Sequence, residues 1–332
     1  MFIVSEYFTA VVFTIITMLC WGSWANTQKL AEKTWRFELF YWDYVLGILL
    51  LALISAFTLG STGTDGRGFL ADIQQAEAEH IGNALLSGVI FNLANILLVA
   101  AIAIAGIAVA FPVGIGIALV LGVLINYVAT PYGNVTLLFS GVGLVTLAII
   151  FDAVAYKTKS TDSQKVSTRG ILISVIAGVL MSLFYRFVAK SMAADFINPE
   201  AGMLTPYTAV VIFSIGILIS NFLFNTILMK KPIEGRPVSY GDYFSGNFKT
   251  HLTGVLGGVI WCIGMSLNII AAGKAGYAIS YGLGQGATLV AALWGVLIWK
   301  EFKNVSPRTN TYLLLMFACF IVGLGLIVYA GM

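Results

Sequence analysis

Residues 88–128 read GVIFNLANILLVAAIAIAGIAVAFPVGIGIALVLGVLINYV, and the chain contains this pattern twice. A shift of 170 positions lays it, without a gap, on the stretch GVIWCIGMSLNIIAAGKAGYAISYGLGQGATLVAALWGVLI that begins at Gly258. Gly88, Val89 and Ile90 fall on Gly258, Val259 and Ile260, and Gly106 falls on Gly276. Gly114 and Gly116 fall on Gly284 and Gly286, and Leu119-Val120 on Leu289-Val290. Aromatic character is kept where Phe91 meets Trp261 and Phe111 meets Tyr281. Each copy reads as two apolar helices joined by a tight Ala/Gly turn. A repeated helix pair in so apolar a chain predicts a transporter built from two related halves.

The solvent of this chain follows from its composition. Of 332 residues, 59% are hydrophobic and 10% charged, with a mean hydropathy of +0.93. A soluble domain carries about 25% charged residues. Too little polar surface is available here to face water on all sides, so lipid is the expected solvent. The net charge of +3 gives no reason to expect a nucleic-acid partner. Cys20, Cys262 and Cys319 all lie in apolar runs, with no metal-ligand spacing and no disulfide framework. His80 and His251 fall in expected loops, which argues against a buried histidine relay. The N-terminus has Glu6 as its only charge and lacks a basic leader pattern, so the first apolar run reads as a retained span.

A membrane span needs about 20 apolar residues. Ten such runs are expected, over 7–27, 37–59, 81–103, 107–128, 134–154, 170–190, 206–229, 253–273, 276–299 and 310–331. Fourteen of the eighteen Lys and Arg residues fall in one alternating set of loops, from Lys29 to Arg308; the other set holds Arg67, Arg186, Lys190 and Lys274. The cation-rich set should be cytoplasmic, which places both termini outside. Five spans per half is an odd number, so the halves should cross the membrane in opposite senses. The expected class is an all-α integral membrane protein, ten helices as two inverted five-helix repeats. The divisions are 1–155, a polar cytoplasmic linker 156–169, and 170–332. Inverted repeats place a solute site near the bilayer midplane.

The polar and aromatic residues inside the spans locate that site. Thr17, Trp21, Trp24 and Gln28 share one face of the first span. Asn92 and Asn95 share a face of the third, Trp261, Met265 and Asn268 a face of the eighth, and Tyr281, Gln285 and Thr288 a face of the ninth. Side-chain amides in hydrocarbon need partners, either another helix or a solute. The expected solute-binding set is Trp21, Trp24, Gln28, Asn92, Asn95, Phe111, Trp261, Asn268, Tyr281 and Gln285. The two Gly-x-Gly pairs serve close helix packing or soften a cavity-lining helix, a role that Pro112 strengthens in the first copy. No Gly-Lys-Ser/Thr follows them, so no phosphate loop and no cofactor is expected. Charges inside spans are costly and mark function. Asp43, in the Tyr41-Trp42-Asp43-Tyr44 run, and Arg186, in Phe184-Tyr185-Arg186-Phe187, are the candidates for proton coupling. Asp152 lies near the cytoplasmic end of the fifth span, and Lys274 at the outer turn of the second repeat copy.

Tyr41-x-Asp43-Tyr44 through Ala56-Phe57-Thr58-Leu59-Gly60 resembles the plant ureide permeases. So do Trp21-Gly22-Ser23-Trp24, Gly88 to Asn95, and Leu124-Ile125-Asn126-Tyr127. The resemblance implies membership of the drug/metabolite transporter superfamily, beside the glucose/ribose porters and the L-rhamnose–proton symporters. It also implies a ten-helix permease, commonly coupled to protons. The plant proteins carry a large central cytosolic region with a phosphate-loop-like motif; the central segment here is short and lacks that motif.

The expectation is a non-enzymatic, proton-coupled importer of a small neutral polar solute, working in the cell membrane as a monomer or homodimer. Rings and uncharged amides, with no Arg clamp, suit a monosaccharide of the ribose, rhamnose or glucose type first. A ureide or nucleobase of the allantoin or uracil type comes second, and drug or metabolite efflux third.

Overall fold

Where lipid is the solvent, each backbone N–H and C=O must be satisfied inside a helix or a closed barrel. This chain takes the helical solution. The computed structural model describes residues 1–31, 35–159, 167–233, 235–303 and 305–332. Half of the expected linker, 160–166, and the cations Lys33 and Lys165 lie outside the described residues.

Among the described residues, ten helical segments are long and apolar enough to cross a membrane. Helix α1 (Tyr7–Ser23) continues as a 3-10 segment (Trp24–Leu30). It is followed by α2 (Phe37–Phe57), a short α3 (Phe69–Gln75), α4 (Ala78–Ala105), α5 (Ile107–Ala129) and α6 (Val135–Lys159). Then come α7 (Thr168–Ser191), α8 (Pro206–Lys230), a short α9 (Tyr240–Phe244) and α10 (Phe248–Ala275). The ninth crossing is made of α11 (Tyr277–Gly284), α12 (Ala287–Leu293) and a π-helical turn, Trp294–Ile298. Helix α13 (Pro307–Tyr329) is the tenth. His80 and His251, expected in loops, instead occupy early turns of α4 and α10.

The first helix of the repeated stretch and the turn that ends it have one backbone in both copies, whereas the second helix is continuous in the first copy and broken in the second. Helices α4 and α10 are each 28 residues long, and each ends at a glycine. Gly106 has φ 78° and ψ 154°, Gly276 has φ 76° and ψ 150°. This is a region open essentially to glycine alone, and it lets each chain reverse at once into α5 or α11. Packing is matched too. Helix α4 packs on α7 and α8, and α10 packs on α1 and α2; α2 meets α8, and α6 meets α13.

The crossings depend on missing side chains. A Cβ on Gly88 would strike the Phe213 carbonyl oxygen of α8, and one on Gly258 would strike the Tyr44 carbonyl oxygen of α2. Gly216 and Gly47 make the reciprocal approaches, to Leu85 and Val255. Lipid tails are as apolar as leucine, so close backbone approach replaces hydrophobic drive between spans. The outward faces carry Phe8, Leu223, Leu314 and Ile321, all more than half exposed and suited to lipid. The interior instead buries Asn92, Asn221, Asn225, Asn268 and many hydroxyls.

One end of the bundle is tied shut by its own chain. Phe2 N–H donates to Leu59 O, Gly66 N–H to Ile197 O, Glu77 N–H to Gly202 O and Asn134 N–H to Ala330 O. Buried Asp72 pairs with Arg67 at 2.8 Å and accepts from the Thr205 amide and hydroxyl. The opposite end gathers Lys29, Arg36, Arg236, Glu301 and Arg308.

Candidate functional site

Local breaks in helix geometry build the site. The ninth crossing loses its α-helical path at Gln285 and Gly286, where Gly286 N–H reaches Leu283 O and Thr288 N–H reaches Gln285 O. The first crossing tightens into its 3-10 segment from Trp24. Irregular backbone at membrane depth is tolerated where it lines a cavity. Both breaks border one, a cleft of ≈ 400 Å³. That falls within the range of solute pockets, roughly 300–1,000 Å³.

The deep part of the cleft is made of rings. Trp21 and Trp261 stack, with centroids 5.9 Å apart and planes 13° apart, and Phe91 lies 4.5 Å from Trp261. Phe184 and Phe111 complete this wall, and Pro112 lines it beside Phe111. Two uncharged amides stand among the rings. Asn95 Nδ2 donates to Tyr41 Oη at 3.1 Å, and its Oδ1 has no protein partner among the described residues. The Gln285 carboxamide lines the cleft with both of its ends likewise unengaged.

The mouth of the cleft holds its charges. Lys29 Nζ sits 4.1 Å over the Trp299 ring and 3.7 Å from Glu301 Oε1. Tyr156 donates to Glu301 Oε2 at 2.9 Å, and Trp299 Nε1 donates to Asn26 Oδ1 at 2.7 Å. Asp152 lines the same wall. The deep part is therefore neutral, and among the described residues the one cation of the wall is Lys29, at the rim. Such a site can stack a flat or ring-shaped solute and hydrogen-bond its edges, with nothing at depth to clamp an anion.

Of the residues singled out in the sequence, Trp21, Trp24, Gln28, Asn95, Phe111, Trp261 and Gln285 come together on this cleft. Asn92, Asn268 and Tyr281 lie outside it, bonded between helices. Asn92 accepts from Tyr41 Oη at 2.9 Å and donates to Ser220 Oγ at 2.9 Å. Asn268 accepts from Tyr185 Oη at 2.6 Å and donates to Ser280 O at 2.8 Å. Tyr281 Oη donates to backbone carbonyls of Ala118 and Met181. Asp43 also lies off the cleft, accepting from Tyr243 Oη at 2.7 Å and meeting His251 Nδ1 at 2.9 Å. Burial and the adjacent Asp43 push the Tyr243 phenol above its ordinary range. Arg186 is half-buried beside Tyr277, away from the cleft.

Sequence reasoning missed Phe91, Phe184, Trp294, Trp299 and Glu301 as wall residues. The match of Phe91 to Trp261 in the repeat was a signal for the first of them. Glu301 gave none, since it follows Lys300 in what reads as a loop. The Lys300 backbone turns left-handed there, φ 51°, and brings Glu301 back against the π turn, where its amide donates to Gly295 O.

The family model described as ureide permease matches residues 40–169 and 159–330 of this chain. The chain belongs to the ureide permease family. Ureide permease 1 of Arabidopsis thaliana is 24% identical, covering 98% of this chain and 98% of its own. Ureide permease 2 of the same plant is 23% identical, covering 97% and 96%; probable ureide permease A3 of Vigna unguiculata is 22% identical, covering 87% and 94%. The alignment to the first runs over 383 positions against 332 residues here, so that relative carries inserted sequence. The two family-model matches overlap at 159–169, within the expected linker 156–169. A solved crystal structure, 14% identical, superposes with a TM-score of 0.59 over 94% of this chain and 95% of its own, which marks a shared fold.

Like its family, this chain is a multi-pass membrane transporter of small solutes and not an enzyme. The first-choice expectation of a monosaccharide finds no support among the relatives. Rings and amides suit a sugar and a ureide alike, so composition of the wall could not separate them. The relatives are ureide permeases, and they favour the second-choice solute.

Proposed function

We propose that this chain imports a small, neutral, flat solute of the ureide or nucleobase class, driven by the proton gradient. The observation that carries the reading is a pair of amides, Gln285 with both ends and Asn95 with its oxygen unengaged among the described residues, set among Trp21, Phe91, Phe184 and Trp261 in the neutral deep part of the cleft. A carboxamide offers one donor and one acceptor side by side. The edge of a ureide or a nucleobase offers the complementary pair, N–H beside C=O. The stacked indoles suit its flat face. The names of the relatives support the same solute class.

The two halves, 1–155 and 170–332, are proposed to be inverted copies about this cleft. Matched α4 and α10, their glycine turns and their matched packing support that reading. The charged end, with most of the Lys and Arg, is taken as cytoplasmic, so both termini lie outside and the cleft opens inward. Alternating access then follows from rocking one half against the other.

The test is uptake into proteoliposomes of radiolabelled allantoin, uracil, ribose, rhamnose and glucose, with and without an inward proton gradient. Saturable uptake of allantoin or uracil, accelerated by the gradient, is expected. Uptake confined to the sugars, or export of a cationic dye in exchange for protons, overturns the reading.

A further inference from the structure

We propose that Asp152, on α6, is the residue through which a proton drives the solute across. The inference rests on the import reading above and assigns its coupling residue. Asp152 lines the cleft, and its Oδ1 is buried with no hydrogen-bond partner among the described residues. The second carboxylate of the wall is engaged differently. Glu301 accepts from Tyr156 and sits beside Lys29. These are the titratable groups facing Asp152 from its own helix, from the 3-10 segment and from the π turn's exit. Helix α13, packed along α6, contributes Arg308, which is stacked on Tyr312. Helix α5, on the other flank, carries no charged side chain.

An acceptor oxygen held out of water destabilises the fold unless a donor reaches it. Protonation of the carboxyl removes its charge, and an N–H of the solute can supply the missing bond. Closing the mouth around an ionised, unpaired Asp152 would strand a charge in a medium of low dielectric. Closing it around a protonated Asp152 strands none. The loaded carrier therefore crosses with a proton on Asp152 and releases it when the mouth opens to water. One proton enters from outside, resides on a carboxyl oxygen and leaves inside; no bond of the solute changes. In the emptied carrier, Lys29, already at Glu301, is the cation placed to neutralise the wall. Asp43 cannot share this role from where it stands, because it is off the cleft and held by Tyr243 and His251.

The experiment compares wild type with Asp152→Asn, Asp152→Glu and Asp43→Asn in proteoliposomes. Radiolabelled allantoin and uracil are the probes, and a trapped pH dye reads proton entry. Gradient-driven accumulation is measured beside counterflow, which exchanges solute without a driving gradient. Asp152→Asn is expected to keep counterflow, accumulate no solute above equilibrium and move no protons with it. Asp152→Glu should retain coupling, and Asp43→Asn should accumulate as wild type does. Accumulation by Asp152→Asn at the wild-type level overturns the assignment. So does loss of counterflow in both Asp152 variants, which would make the residue structural. A wild-type protein that carries allantoin or uracil without protons removes the coupling role and leaves the solute reading standing. One that carries neither probe removes the solute reading itself.

Discussion

The indoles of Trp21 and Trp261 stack with 5.9 Å between centroids, and Trp21 Nε1 donates to the Trp261 backbone carbonyl at 3.2 Å. One ring comes from the first crossing and the other from the eighth, so the floor of the cleft is shared by both halves of the chain. An aromatic pair contributes about 0.5–1.5 kcal/mol beyond its buried area. Trp21→Phe should therefore raise the KM for uptake only a few-fold. Trp21→Ala should raise it by a larger factor and lower the Tm as well. Equal KM values for the two variants would show that the ring does not meet the solute.

Gln285→Leu tests the amide reading. Removing a donor and acceptor that the solute uses costs about 1–3 kcal/mol, or roughly 5–150-fold in kcat/KM. The loss should appear for allantoin and uracil with little change in Tm, since the Gln285 side chain has no partner to lose among the described residues. Unchanged uptake would remove Gln285 from the site.

Tyr185→Phe should do the reverse. The phenol donates to Asn268 at 2.6 Å, and both residues are fully buried. The orphaned Asn268 oxygen costs about 1–3 kcal/mol, so the Tm should fall while KM holds. A change in KM at constant Tm would place Asn268 on the solute instead of between helices.

Gly88→Ala and Gly258→Ala force apart α4 from α8 and α10 from α2, because the added carbon meets backbone. Overpacking of this kind costs about 1–3 kcal/mol or more. Gly116→Ala is the control: among the described residues nothing lies within 4 Å of its Cβ position, and the same substitution there should be harmless. Thermal unfolding in detergent distinguishes them, and equal stability of all three would refute the close crossings.

At the charged end, α9 is held by a capping box in which Ser239 and Asp242 bond reciprocally. The Ser239 backbone N–H, and then its hydroxyl, hold the Asp242 carboxyl below the usual carboxylate range. With the folded value depressed, the contribution of the cap is complete above the unfolded value near 3.9. It is lost as pH falls through the lower folded value. Ser239→Ala should shift the Asp242 titration partway up toward that ordinary value in an NMR experiment. An unchanged titration would remove the hydroxyl from the cap.

The fold was legible because membrane physics is strict. Runs such as 206–229 can only be spans, and Pro206–Lys230 is the helix observed there. The repeat also announced the two glycine turns, Gly106 and Gly276. The site was legible in part. Trp21, Asn95, Trp261 and Gln285 share the cleft, but helical periodicity alone could not say whether an amide faces a solute or a neighbouring helix. Asn92 and Asn95 show the limit: they are three residues apart on one face, yet one bonds Ser220 and the other opens on the cleft. Asp43 and His251 were read singly, and their pairing across 208 positions of sequence is a product of the α2–α10 crossing. The break at Gln285–Gly286 and the return of Glu301 to the mouth are tertiary features with no period to reveal them.

The most direct measurement is a map of the protein in lipid nanodiscs at saturating allantoin or uracil. Density for the solute is expected against the Trp21–Trp261 rings, with its edge about 3 Å from the Gln285 carboxamide, a hydrogen-bond distance. A cleft that stays empty while the solute binds elsewhere, or one filled by ribose or glucose but by neither of these two, would contradict the assignment.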